Sequence, residues 1–116
     1  MLQTKCYRDA APLDGLKISV MRFTPKRFNY DILMLGLAPK PELLRSYRSG
    51  KISWKQYEGM FLKQIAQSSE IDCLIQLALE QDVTIYCSEK ETDKCHRRLI
   101  AEEVMKKAPY LKVYMK

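Results

Sequence analysis

The sequence predicts an α/β protein: a small three-layer sandwich with a mostly parallel sheet of about four strands and helices on both faces. Three observations carry this. The runs Leu16–Phe23 and Val83–Cys87 are rich in β-branched and aromatic residues and read as strands. Between them, Tyr57, Met60, Phe61 and Ile65, and then Ile71, Leu74, Ile75, Ala78 and Leu79, recur at helical spacing. Strands separated by helices pair in parallel, because a parallel partner needs a crossover connection. The 116 residues suffice for one core and are too few to divide, so 1–116 reads as a single domain.

The elements follow in order. Leu2 to Tyr7 forms a first short strand, and Asp14-Gly15 signals the turn before the strand Leu16–Phe23. Thr24 to Lys40 is a long connection with Pro25, Gly36 and Pro39 and an apolar patch at Ile32-Leu33-Met34-Leu35. Connections of that length often line a site. Pro41 suits the first turn of a short helix through Tyr47, which Gly50 stops. Ser53 and Gln56 fit a capping box opening the next helix, and Ser69 caps a third. After the Val83–Cys87 strand comes a helix from about Lys94 to Lys107, and Tyr110–Met115 closes the sheet. The aromatic group Trp54, Tyr57 and Phe61 reads as core.

Composition narrows the setting. Hydrophobic residues make up 47% and charged residues 29%, which is ordinary for a globular protein. No apolar run is long enough to cross a bilayer, and Met1–Lys5 lacks the apolar stretch of a signal peptide. The expected setting is therefore cytoplasmic, with no membrane partner, and Cys6, Cys73, Cys87 and Cys95 are expected as thiols rather than disulfides. The formal charge of +6 includes clusters at Lys26-Arg27, Arg45/Arg48/Lys51 and Lys106/Lys107/Lys112/Lys116. Such a surface attracts polyanions, so nucleic acid stands among the partners considered. The clusters lack interleaved aromatics that read bases, so solubility is the favoured account of them.

The densest chemistry lies just past the Val83–Cys87 strand. Cys87, Glu89, Cys95, His96 and Arg97 follow one another within a dozen residues, and His96 is the chain's single histidine. Open α/β folds place ligand sites outside the carboxyl ends of their strands. On the last helix His96 shares a line with Ile100 and Val104, and Arg97 with Ala101 and Met105, so both point over the sheet's edge toward Cys87. Arg98 falls on the solvated side at ion-pair spacing from Glu102. Cys95, at a helix amino terminus beside an imidazole and a guanidinium, is placed to be a nucleophile or a redox-sensitive thiol. Packing is the competing reading for both cysteines, since free cysteine is among the most buried residue types.

Three sharper patterns are absent. At the spacing of a cysteine-phosphatase loop, Cys87 leads to Asp93 and Cys95 to Ala101, neither of them an arginine. Cys87, Cys95 and His96 make three irregularly spaced donors where a structural zinc wants four, so no metal is expected, and no cofactor. Gly15, Gly36, Gly50 and Gly59 form no phosphate-cradling loop.

The strand ending in Cys87, then Glu89, a polar spacer and Cys95-His96-Arg97, resembles the signature of the domain of unknown function 488 family. Asp14-Gly15, the strand ending in Arg22, Pro25, Tyr30-Asp31, Leu37-Ala38-Pro39 and the aromatic helix from Trp54 resemble further landmarks of one branch. The resemblance spans roughly Lys5 to Lys107 and implies a small three-layer α/β fold. Its landmark positions here are Arg22, Asp31, Cys87, Glu89, Cys95, His96 and Arg97. Arg22 ends its strand on the edge Cys87 occupies if the two strands are parallel. Asp31 is placed to pair with Arg22, to orient His96, or simply to make a turn, and Tyr30 beside it is a supporting residue.

The leading expectation is an enzyme acting on a phosphate-bearing or otherwise anionic small molecule. Arg22 and Arg97 hold the anion, His96 or Glu89 exchanges protons, Cys95 acts as nucleophile and Cys87 supports it. The alternatives are a binding module for a nucleotide or nucleic acid, and a structural metal or redox-sensing site. Oligomeric state is not legible.

Overall fold

The structure is a computed structural model that describes residues 1–89 and 94–116; the polar spacer at 90–93 lies outside the described residues. Among the described residues five strands form one sheet in the order β3-β2-β4-β1-β5, where β1 is Leu2–Cys6, β2 Leu16–Ser19, β3 Ile32–Leu33, β4 Val83–Cys87 and β5 Val113–Met115. Every pairing is parallel. The α/β class and the parallel sheet stand. The strand count rises from about four to five because Ile32 and Leu33, at the start of the apolar patch in the long connection, pair with Ile18 and Ser19.

The described residues also form four α-helices: α1 Pro41–Arg48, α2 Trp54–Ala66, α3 Glu70–Glu80 and α4 His96–Lys107. Helix α1 ends where Gly50 takes a left-handed φ of 79°, as a glycine just past a helix end does. Ser53 opens α2 with the expected reciprocal cap: its Oγ accepts from the Gln56 amide at 3.1 Å, and Gln56 Oε1 accepts from the Ser53 amide at 2.8 Å. The α3 start differs from expectation. Ser69 makes no side-chain cap, and Ser68 Oγ accepts from the Glu70 amide instead.

All four α-helices share one apolar core with one face of the sheet. Leu2, Ile18, Val83 and Ile85 meet Leu43, Phe61, Ile71, Leu74, Leu99 and Val104 there. Strand side chains alternate, so the residues between them project to the opposite face. That face is polar, and 3₁₀ turns at Tyr7–Asp9 and Pro12–Asp14 cover it together with the loop carrying Phe28. The third layer is thus built of tight turns rather than α-helices. Chirality explains the division. The connections after β1 and β2 move toward the β3 edge, whereas the β3–β4 and β4–β5 crossovers move toward the β5 edge. Crossovers of one hand moving in opposite directions must cross opposite faces.

Asp14 organises the polar face. Its carboxylate, 2% exposed, accepts from Lys5 Nζ at 2.6 Å, the Ala11 amide at 2.8 Å, Gln3 Nε2 at 3.3 Å and the Tyr86 hydroxyl. Burial alone would raise its pKa, but the hydrogen bonds from Lys5 and Tyr86 outweigh this and hold it below the usual carboxylate value. The Tyr86 hydroxyl is pushed up by burial and by the same carboxylate, so it stays protonated and donates. Gly15 follows with φ 74°, and a Cβ there would meet the Asp82 carbonyl oxygen at 2.3 Å. The chain therefore enters β2 through a position only glycine can occupy.

Candidate functional site

Strands β2 and β4 are neighbours whose following connections leave by opposite faces, and a crevice opens at their carboxyl ends, as such switch points do. β2 ends at Ser19, four residues earlier than the sequence suggests, and the freed segment bends over the crevice. A cleft of about 780 Å³ lies there, bounded by Met21, Arg22 and Phe23 from that segment, by α1 and the start of α2, and by Ser88, Glu89, Lys94, Cys95 and His96.

The floor is made by β4 and α4. Cys87 closes β4, and Cys95 is the residue before the first turn of α4. Their sulfurs are in bridging contact, and both residues are buried. This corrects the expectation of four independent thiols: two are coupled, while Cys6 and Cys73 are free. The backbone spacing of the pair, 7.7 Å between Cα atoms, is wider than the roughly 4.4–6.8 Å of relaxed bridges.

Arg97 is the largest fully buried side chain, with 0% exposure. Its Nη1 donates to Cys87 Sγ at 2.8 Å, to the Glu89 carbonyl, and more weakly toward Cys95 Sγ at 3.7 Å. Its Nη2 donates to the Lys116 carbonyl at 3.1 Å. The guanidinium therefore sits beneath the cleft, against the sulfurs, and does not line the cavity.

His96, the first residue of α4, is 8% exposed and packs edge-on against Phe61 at 5.6 Å between ring centres. Its Nε2 lies 2.6 Å from the Val20 carbonyl oxygen. A carbonyl only accepts, so Nε2 is assigned the proton and the ring lone pair falls on Nδ1. Burial, assisted by Arg97 and Arg48 and opposed by the Val20 hydrogen bond, lowers its pKa to about 4, so the ring is neutral at pH 7. Both sulfurs and one ring nitrogen lie within 4.8 Å of one another, a possible metal-donor trio among the described residues. Three donors leave a tetrahedral structural site one short, and Arg97 already places a positive charge on the same sulfurs.

Not every expected site residue arrives. Arg22 is on the cleft wall, but its guanidinium donates to the carbonyls of Pro39, Leu35 and Ala38 at 3.0, 3.2 and 3.3 Å and so fixes the loop. Asp31 accepts from the Lys17 amide at 2.8 Å, beside β3, and pairs with neither Arg22 nor His96. Tyr30 packs on Phe28 away from the cleft. Arg98 forms its surface pair with Glu102 at 2.8 Å and a second with Glu58 at 3.1 Å. Sequence reasoning missed the opposite wall, where Tyr47, Arg48, Trp54 and Tyr57 face the floor. The available signal was the Gly50 turn, which folds α1 against α2 and presents Arg48 and Trp54 together.

Fold and site thus define a class: α/β proteins with a cysteine-histidine-arginine centre at the carboxyl edge of a parallel sheet. The chain belongs to the DUF488 family; the model of its active DUF488-N3 subclade, DUF488-N3a, matches residues 2–108. No curated protein and no solved structure matches it.

Proposed function

We propose that the chain is an enzyme acting on an anionic small molecule, with a thiolate of the Cys87–Cys95 pair as its reactive group. The observation that carries this is the fully buried Arg97 guanidinium donating to the sulfur of Cys87, with Cys95 Sγ beyond it at the floor of an open cleft. A buried cation against sulfur keeps a nucleophile charged at neutral pH, and the positive end of α4 adds to the effect. The description of the family as an active subclade supports a catalytic reading. The cleft volume is that of small-molecule sites.

Cys95, though buried, is among the residues lining the cleft and Cys87 is not, so once the pair is reduced Cys95 is the sulfur nearer the substrate. The Cys95 sulfur bonds to the electrophilic atom of the substrate, and the leaving group departs with its bonding electrons and takes a proton from Glu89. Water then attacks the same atom, gives its proton back to Glu89 and returns the thiolate. Glu89 has this role because its carboxylate lines the cleft, whereas His96 is held neutral and fixed on Val20. Arg97 acts on the thiols and Arg22 on the loop, so neither is needed to grip the substrate.

The test is to incubate reduced protein with phosphate esters of small metabolites, following product release and the intact mass of the chain. Turnover or an adduct on Cys95, lost in Cys95→Ser, is the expected result. Ligand retained equally by wild type, Cys95→Ser and His96→Ala, with no chemistry in any of them, would make this a binding module.

A further inference from the structure

The two arginines expected to hold an anion are both engaged by other groups, which raises the question of which cations remain for a ligand. Arg48, at the end of α1, and Lys94, just before α4, line the cleft from opposite sides. Among the described residues neither side chain makes a hydrogen bond or ion pair. Arg48 lies near enough to the floor to act electrostatically on Tyr57 and His96. Two uncommitted cations across one cleft are a receptor for an anion, and Arg48 offers a planar fork suited to phosphate or carboxylate.

The wall beside Arg48 is aromatic. Trp54 stacks on Tyr57 with ring centres 5.1 Å apart and planes 22° off parallel, and Tyr47 meets both at 5.5 and 5.0 Å. Trp54 and Tyr47 pack against the core but are only partly buried, so part of each ring is left to line the cleft. Phe23, on the segment after β2, lines the same cleft and is 73% exposed. An aromatic left that open on a cleft lip faces a hydrated space that a flat ring would fill.

Resting on the anion reading above, we infer that the substrate is a flat-ring anion of the nucleoside monophosphate class. Its ring lies between Phe23 and the Trp54–Tyr47 wall, and its phosphate lies between Arg48 and Lys94. Trp54, Tyr47 and Arg48 hold the ring and one side of the phosphate from α1 and α2, and Lys94 holds the other side next to Cys95, so the phosphate lies toward the sulfurs.

Trp54 is the chain's single tryptophan, which makes the wall its own reporter. Adenosine 5′-monophosphate, adenosine, inorganic phosphate and a short single-stranded oligonucleotide are titrated against the intrinsic fluorescence of the full chain. Saturable quenching by the monophosphate is expected, with adenosine and phosphate each at least about tenfold weaker, because each makes only half of the contacts. Arg48→Ala should weaken the monophosphate about tenfold or more and leave adenosine unchanged, while circular dichroism reports an intact fold. Overturning results are a monophosphate no tighter than phosphate alone, an Arg48→Ala variant of unchanged affinity, or a response to the oligonucleotide with none to the monophosphate. Cys95 turnover with a ringless phosphate ester would defeat this assignment and leave the enzyme reading standing.

Discussion

Arg97 and His96 are neighbours in sequence at the start of α4, yet burial acts on them in opposite ways. The guanidinium stays charged when buried, so it must be held by acceptors, and the sulfur and carbonyls around it supply them. Replacing Arg97 by alanine strands those acceptors and leaves a cavity, and a loss of about 3 kcal/mol or more in chemical denaturation is expected. Arg97→Lys keeps the charge without the fork and should unfold less easily than Arg97→Ala; equal losses would mean that charge contributes nothing. The imidazole takes the other route and gives up its proton. Its folded pKa of about 4 lies below the usual 6.5, so the unfolded chain binds the extra proton between those values. Stability from His96 is complete above about pH 6.5 and is lost as pH falls toward 4, roughly 3 kcal/mol in all. Urea midpoints of reduced protein between pH 7 and pH 4.5 should fall steeply, and His96→Gln should flatten that fall. A wild-type midpoint independent of pH would show that His96 is not held neutral.

At the scale of elements, the strands and helices were legible wherever periodicity and punctuation agreed. The α2 cap at Ser53 and Gln56, the α1 stop at Gly50 and the β4 run are local signals that the fold keeps. Three features were not legible, each because tertiary context decides it. Leu16–Phe23 reads as one strand, but β2 stops at Ser19, where the sheet edge ends and Val20 turns its carbonyl to His96. Ile32 and Leu33 become a strand only because β2 offers an open edge. Cys87 and Cys95 are eight positions apart with nothing in their spacing to couple them, and the meeting of β4 with α4 does so. The Gly15 turn is the element-scale feature most open to test. Its left-handed φ and the Asp82 carbonyl against a would-be Cβ leave no room for a side chain. Gly15→Ala should cost about 2 kcal/mol or more by thermal or urea unfolding, and a loss under about 0.5 kcal/mol would show that β2 can be entered another way.

Over the whole molecule, one sheet separates two kinds of interior. The helical face is apolar; the opposite face is held by Asp14 and the groups that donate to it, which tie β1, β4 and the turn before β2 together. Asp14→Ala leaves the buried Tyr86 and the half-buried Lys5 without their acceptor, and a loss of about 3 kcal/mol is expected, against little change for an exposed carboxylate such as Asp9→Ala. Among the described residues no helix is long and apolar enough to cross a membrane.

The proposed thiolate of the Cys87–Cys95 pair, held by Arg97, is most directly tested by alkylating reduced protein across pH 5 to 9 and mapping the labelled peptides. The midpoint of the pH–rate curve reports the thiol pKa, which burial raises and a neighbouring cation lowers, whereas the rate also depends on access. The Cys95 and Cys87 midpoints should lie at least about one pH unit below those of the same peptides in denatured chain, with Arg97→Lys moving them upward. Native midpoints at or above the denatured values would contradict a thiolate held by Arg97.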